Sequence, residues 1–126
     1  MCIRETRYPV WFSTVYTDTN TSKNAFKDMT NYAHFTDITL RNVRSQGGTD
    51  LEMIGIAPQL RMEVNFDGVS IGGEAMMKQH VAHVVVTMGP GPVNWSPLGD
   101  DVQIVGSPGK GKVESCDAHW VKWPSE

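Results

Sequence analysis

The sequence has little charge and no long hydrophobic run. Acidic side chains number 14 and basic ones 11, which gives a net charge of −3. Because the basic residues form no stripe that could follow a phosphate backbone, no nucleic-acid partner is expected. No apolar run is long enough to span a bilayer, so no membrane segment is expected either. The 126 residues fit one domain over positions 1–126.

Cysteine is scarce, with only Cys2 and Cys116 present. The pair matches no zinc-binding spacing and no Cys-x-x-Cys redox motif, so neither a metal nor another cofactor is expected. A disulfide between them is left open, because sequence does not give the distance between their Cα atoms. The first residues lack the apolar core of a signal peptide and carry charge at Arg4, Glu5 and Arg7, so no cellular compartment is indicated.

Strand-like runs recur along the chain, whereas helical patterns are scarce. These runs are rich in β-branched and aromatic residues or alternate apolar with polar residues. They cover residues 9–16, 36–43, 51–56, 63–71, 83–88 and 101–105, and the best helical stretch is 23–29. The sequence therefore predicts an all-β fold.

Two of the predicted strands are copies of one pattern. Residues 37–43 and 63–69 both read acid, aliphatic, polar, apolar, polar, small, Val, at an offset of 63 − 37 = 26 residues. A double glycine follows each copy, at 47–48 and at 72–73. Such a repeat favours a solenoid of stacked coils. An antiparallel sandwich is the alternative, since it also combines short strands with frequent turns.

Several segments together resemble glycoside hydrolase family 28, the polygalacturonases. They are Phe-Thr-Asp-Ile-Thr-Leu-Arg-Asn-Val at 35–43, Val-Asn-Phe-Asp-Gly-Val at 64–69, Met-Gly-Pro-Gly-Pro-Val-Asn at 88–94 and Trp-Val-Lys-Trp-Pro at 120–124. The resemblance is to the C-terminal part of the family's fold. It implies a short, truncated right-handed parallel β-helix of a few coils, and a protein associated with pectin or plant-polysaccharide degradation. Members of the family are typically secreted.

The family's catalytic motifs are missing from the chain. It contains no Asn-Thr-Asp, Gly-His-Gly or Arg-Ile-Lys sequence, and the resemblance would place those motifs before Met1. The Asp100-Asp101 pair falls in the last coils, where the family has a turn. Two hypotheses follow. The chain is a glycoside hydrolase that acts through a rearranged site, or it is a non-catalytic module that binds acidic polysaccharide or is purely structural.

Three residues are candidates for a functional site. The resemblance implies that Tyr16 binds substrate, because family members carry a tyrosine there that contacts the sugar. Asp37 and Glu63 occupy equivalent places in the two copies. In adjacent coils their backbones would lie ~4.8 Å apart, close enough for the carboxyl groups to share a proton as a catalytic pair. The alternative for both is a solvated acid in a turn.

Histidines and tryptophans receive simpler interpretations. His80 and His83 have no evident third ligand, so surface histidines are expected rather than a metal site. Trp95, Trp120 and Trp123 either form a sugar-stacking platform or cap the end of the coils.

A coil stack without a polar cap exposes strand edges and apolar core. We therefore expect a homo-oligomer with residues 10–16 in the interface at the N-terminal end of the coils. The expected partner is an acidic plant polysaccharide.

Overall fold

The computed structural model describes residues 1–4, 6–14, 34–48, 50–72, 78–114, 116 and 120. Within these residues the fold is all-β, as predicted, and contains no helix. Tyr16, Trp123 and the predicted helical stretch 23–29 lie outside the described part. The strands are β1 (Cys2–Arg4), β2 (Trp11–Ser13), β3 (Ile38–Gln46), β4 (Leu51–Ile54), β5 (Met62–Ile71), β6 (Gln79–Met88) and β7 (Asp100–Gly106). No helix that could cross a membrane occurs among these residues.

The seven strands form one curled sheet. Their order is β1-β3-β5-β6-β4-β2, and β7 pairs with β6. Every pairing between named strands is parallel. The antiparallel sandwich is therefore wrong for the described residues, in which the antiparallel contact is an isolated bridge between Ala57 and Leu60.

The predicted repeat appears as a direct pairing of strands. In β3 and β5, Ile38 pairs with Val64 and Val43 pairs with Val69, both at an offset of 26 residues. The next offsets are shorter: 84 − 62 = 22 between β5 and β6, and 102 − 84 = 18 between β6 and β7. The strands keep a continuous register while the connecting segments shorten.

Residues with positive φ bend the long strands and change which side chains face inward. In β5, Phe66 and Val69 are both buried although they are three residues apart, and Gly68 between them has φ 74°. In β6, Val81 and Val84 are both buried, and His83 has φ 54°. Asparagine, aspartate and histidine enter this left-handed region more readily than other non-glycine residues. Without such a bend, residues three apart on a strand would face opposite sides.

The bends also change the neighbours of each strand. The first half of β6 pairs with β4, whereas its second half pairs with β5 and β7. Likewise, the first part of β5 lies between β3 and β6, and its last residues pair with β3. One strand therefore belongs to two differently oriented parts of the curled sheet.

The concave side of the sheet holds the apolar core. Leu51, Met53, Met62 and Phe66 are completely buried. Trp95 is also buried, with its ring centroid 5.1 Å from that of Phe66. Burying a large apolar side chain contributes roughly 1.5–3 kcal/mol. Because Trp95 belongs to this core, it cannot serve as an exposed platform for sugar stacking.

The two cysteines form a disulfide between the first strand and the C-terminal region. The Cα atoms of Cys2 and Cys116 lie 5.9 Å apart, across 114 residues of sequence. Near this link, the Arg4 guanidinium lies 4.6 Å from the ring centroid of Trp120. Strand β1 was not predicted, because its three residues include Arg4 and show too short a pattern. The start of β6 at Gln79 was likewise missed.

Candidate functional site

Three side chains from consecutive levels of the sheet meet at one corner. Arg61 precedes β5, His83 lies at the bend of β6, and Asp101 is the second residue of β7. Each comes immediately before one of three residues in register, because Met62 pairs with Val84 and Val84 pairs with Val102. Parallel stacking therefore brings together residues that are 40 and 18 positions apart in sequence.

The Asp101 carboxylate accepts hydrogen bonds from both neighbours. The Nε of Arg61 lies 2.9 Å from Oδ1 and 3.0 Å from Oδ2, and an Arg61 terminal nitrogen lies 2.6 Å from Oδ1. The His83 Nδ1 lies 2.8 Å from Oδ2. All three side chains are partly buried, with 18–27% of their surface exposed. Planar guanidinium–carboxylate contacts of this kind are strong and fix both groups in orientation.

These contacts determine which protonation state Asp101 adopts. The Arg61 hydrogen bonds, followed by that of His83, lower the pKa of the Asp101 carboxyl below its ordinary value of 3.8. An ionised carboxylate can only accept hydrogen bonds, so the His83 Nδ1 carries a proton and donates it to Oδ2. Asp101 is therefore suited to orienting the imidazole, and unsuited to donating a proton near neutral pH.

Two further backbone contacts hold this corner to the preceding segment. The His34 Nε2–H donates to the Arg61 carbonyl at 2.9 Å. The Glu63 backbone N–H donates to the Phe35 carbonyl at 3.0 Å. The corner is thus tied to the residues that lead into β3.

The predicted catalytic pair is brought to neighbouring levels, but its carboxyl groups are not joined. Asp37 precedes β3 with φ 58°, and Glu63 is the second residue of β5. Both residues are exposed, and among the described contacts no hydrogen bond links their side chains. This arrangement matches the alternative of solvated acids near the strand starts. The third candidate, Tyr16, lies outside the described residues.

His83 differs from the expected surface histidine, while His80 is exposed in β6 as expected. The strand bend at His83 allows its ring to reach Asp101 across 18 residues. The described part of the chain contains no group of three His, Cys, Asp or Glu side chains that could hold a metal ion.

A second acid on the sheet is also held by a cation. The Arg41 Nε donates to Asp67 Oδ2 at 2.9 Å, and the Gly91 backbone N–H donates to Oδ1 at 2.8 Å. These two hydrogen bonds, with that of Arg41 the larger cause, lower the pKa of the Asp67 carboxyl. Asp67, like Asp101, is therefore a structural anion.

The sequence gave one signal for this corner that was not used. Arg61, His83 and Asp101 each precede a run that begins with an apolar residue and alternates afterwards. Their shared position was hidden because the offsets between the runs differ. Comparison with known proteins found no matching family model, curated protein or solved structure.

Proposed function

We propose that this chain is a polygalacturonase-like parallel β-helix that binds acidic plant polysaccharide without cleaving it. The segments that resemble the family include residues 35–43 and 64–69, which contain most of the paired positions of β3 and β5. Binding is the part of the family's activity that does not require its missing catalytic motifs.

The β-helix part of the proposal rests on the bent strands. Residues 38–41, 62–66, 84–88 and 102–106 make one stack of parallel strands. Residues 11–13, 51–54 and 79–82 make another. A chain that returns to each stack in turn has the path of a coil. Connections between parallel strands in one sheet are right-handed in about 98% of cases, which favours a right-handed coil.

The state of Asp101 is the observation that favours binding over hydrolysis. Inverting hydrolysis needs one carboxylic acid to protonate the leaving oxygen and one carboxylate to activate water. Asp101 is held ionised by Arg61 and His83, so it lacks the proton that a general acid must supply. Asp37 and Glu63 are exposed, without a shared hydrogen bond.

One feature favours the second candidate, a hydrolase with a rearranged site. The His83 Nδ1–H is oriented by Asp101, and its Nε2 has no hydrogen-bond partner in the described part of the chain. An imidazole oriented by a carboxylate can act as a general base. This dyad, rather than the Asp37 and Glu63 pair, would then activate the water.

The test combines a binding and a cleavage measurement on the same protein. We expect the full chain to bind polygalacturonic acid, followed by the retardation of its mobility in gels that contain the polymer. Reducing ends should not increase above a heat-inactivated control. Release of reducing ends that is lost in His83→Asn would instead establish the hydrolase. Absence of both binding and cleavage would overturn the proposal.

We also propose that the protein self-associates through the N-terminal end of the sheet. A cavity of about 380 Å³ opens there, and Ile3, Val10, Phe12 and Leu40 supply much of its apolar lining. Beside it, residues 38–41 pair only with β5 among the described strands. An unpaired strand next to apolar surface favours association with another chain.

A further inference from the structure

A polar groove crosses the outer surface of the sheet, away from the corner at Asp101. It lies between the strand ends of β3 and β5 and the segment 111–114. Two adjoining cavities form it, each of about 270 Å³, and both are lined by Pro92, Lys112 and Val113. One continues over Asn42 and Arg44, and the other continues over Ser70 and Asn94.

Arg44 provides the groove with a guanidinium that is only partly used. It lies on β3 in register with Ser70 of β5. One terminal nitrogen of Arg44 donates to the Glu114 carbonyl at 2.9 Å, which holds segment 111–114 against the sheet. The Arg44 Nε is buried and has no hydrogen-bond acceptor in the described structure. A buried donor without an acceptor is costly, so a ligand oxygen at this position would be stabilised.

Lys112 adds a second positive charge to the same groove. Its side chain is exposed and forms no ion pair among the described residues. The Asn42 side chain lies beside both cations, with its Oδ1 directed at Gly68. Glu114 is the one carboxylate among the lining residues, so two cations face one anion in the groove. The groove is therefore locally cationic on a chain whose net charge is −3.

We infer that this groove binds the carboxylate of a uronic acid unit in an acidic polysaccharide. A guanidinium presents hydrogen-bond donors in a plane that matches a carboxylate, and an ammonium group adds a mobile positive charge. Pro92 and Val113 offer apolar surface to the carbon–hydrogen face of a sugar ring. The inference rests on the proposed polysaccharide binding and assigns it to Arg44 and Lys112.

The inference is tested with polygalacturonic acid and fully methyl-esterified pectin as probes. We expect Lys112→Ala and Arg44→Gln each to weaken binding of polygalacturonic acid by about tenfold, the effect of losing one charge-assisted hydrogen bond. Lys110→Ala is the matched control, because Lys110 is exposed two residues away and does not line the groove. Esterified pectin should bind more weakly than the free acid, because the ester removes the negative charge.

Each outcome separates the groove from the broader proposal. Equal weakening by Lys110→Ala and Lys112→Ala would show general attraction between charges and overturn the groove. Unchanged binding in Lys112→Ala would also overturn it, while polysaccharide binding elsewhere would stand. Equally tight binding of esterified pectin would remove the carboxylate from the interaction. No binding by the unmodified protein would overturn both proposals. Because Arg44→Gln could also loosen segment 111–114, its thermal unfolding is compared with that of Lys112→Ala.

Discussion

Cys2 and Cys116 join the first strand of the sheet to the C-terminal region through a disulfide. Their Cα atoms are 5.9 Å apart, within the range that a disulfide requires. The link encloses most of the described chain and complements the strand pairing between β1 and β3. It is the longest-range covalent constraint in the described structure.

Removing this disulfide should destabilise the protein strongly. Closing a loop of about 100 residues lowers the entropy of the unfolded chain and is worth roughly 4–5 kcal/mol in the chain-entropy model. We expect a loss of about 3–5 kcal/mol in the free energy of unfolding for Cys2→Ser combined with Cys116→Ser. Denaturant titrations with and without reductant measure this loss. Reductant should leave the double variant unchanged, and an equal effect on both proteins would contradict the prediction.

Replacing Asp101 should lower stability in a pH-dependent way. Because the folded-state pKa of Asp101 is lowered, the stability that its charge contributes is present above pH 3.8 and is lost as pH falls through the folded value. Asp101→Asn should therefore be less stable than the unmodified protein at pH 7, and the difference should shrink below about pH 4. Asparagine tolerates the φ of 54° at this position, so the change isolates the charge.

Thermal unfolding between pH 3 and pH 7 measures that difference. Asp100→Asn serves as the control, because Asp100 is exposed and has no side-chain ion pair in the described residues. A difference between Asp101→Asn and the unmodified protein that stays constant with pH would argue against the role assigned to Arg61 and His83.

The bend in β5 should be sensitive to a single methyl group. Gly68 and Gly47 both have positive φ, of 74° and 78°. A Cβ at Gly68 would lie 2.9 Å from the Asn42 Oδ1, whereas a Cβ at Gly47 meets nothing within 4 Å. Gly47→Ala should cost roughly 1–2 kcal/mol through its backbone conformation alone. Gly68→Ala should cost about 1 kcal/mol more, because Asn42 must move.

Chemical denaturation of the two glycine variants measures both costs in one experiment. Equal costs would mean that Asn42 moves aside freely, and the contact between adjacent levels would then have little effect on the bend.

Self-association should depend on the N-terminal edge of the sheet. Thr39 is exposed on β3 and lines the apolar cavity. A lysine there adds charge to an unpaired strand edge, which disfavours pairing with another chain. We expect the unmodified protein to have a mass above that of one chain in light scattering, and Thr39→Lys to shift it towards the monomer. Gln59→Lys, on an exposed turn, is the control and should not change the mass.

A monomer at all concentrations for the unmodified protein would contradict self-association. An unchanged oligomer in Thr39→Lys would contradict this edge as the interface.

The sequence predicted the pairing of β3 and β5 because both copies of the pattern keep the same spacing and order. Ile38 pairs with Val64, at the predicted offset of 26. It did not predict the partners of β6, because His83 replaces a glycine at the bend and the spacing shortens. A period of fixed length cannot detect such a strand. The pairing of strands also depends on contacts between segments distant in sequence, which local propensities do not encode.

The candidate site was harder to predict than the fold. Asp37 and Glu63 were chosen because they match in the repeat, and the structure leaves both exposed. Asp101 had been interpreted as a turn acid, whereas parallel stacking gives it Arg61 and His83 as partners. Arg44 had no signal at all, because its role depends on segment 111–114 lying across β3.

The shortening offsets of 26, 22 and 18 residues have a consequence for how this molecule can change. Between β3 and β7 the strands keep their register although each successive level uses fewer residues. The connecting segments are therefore interchangeable parts on a fixed frame. Insertions or grafted peptides placed in those connections would alter what the surface displays to a binding partner, while the stacked strands beneath remained as they are.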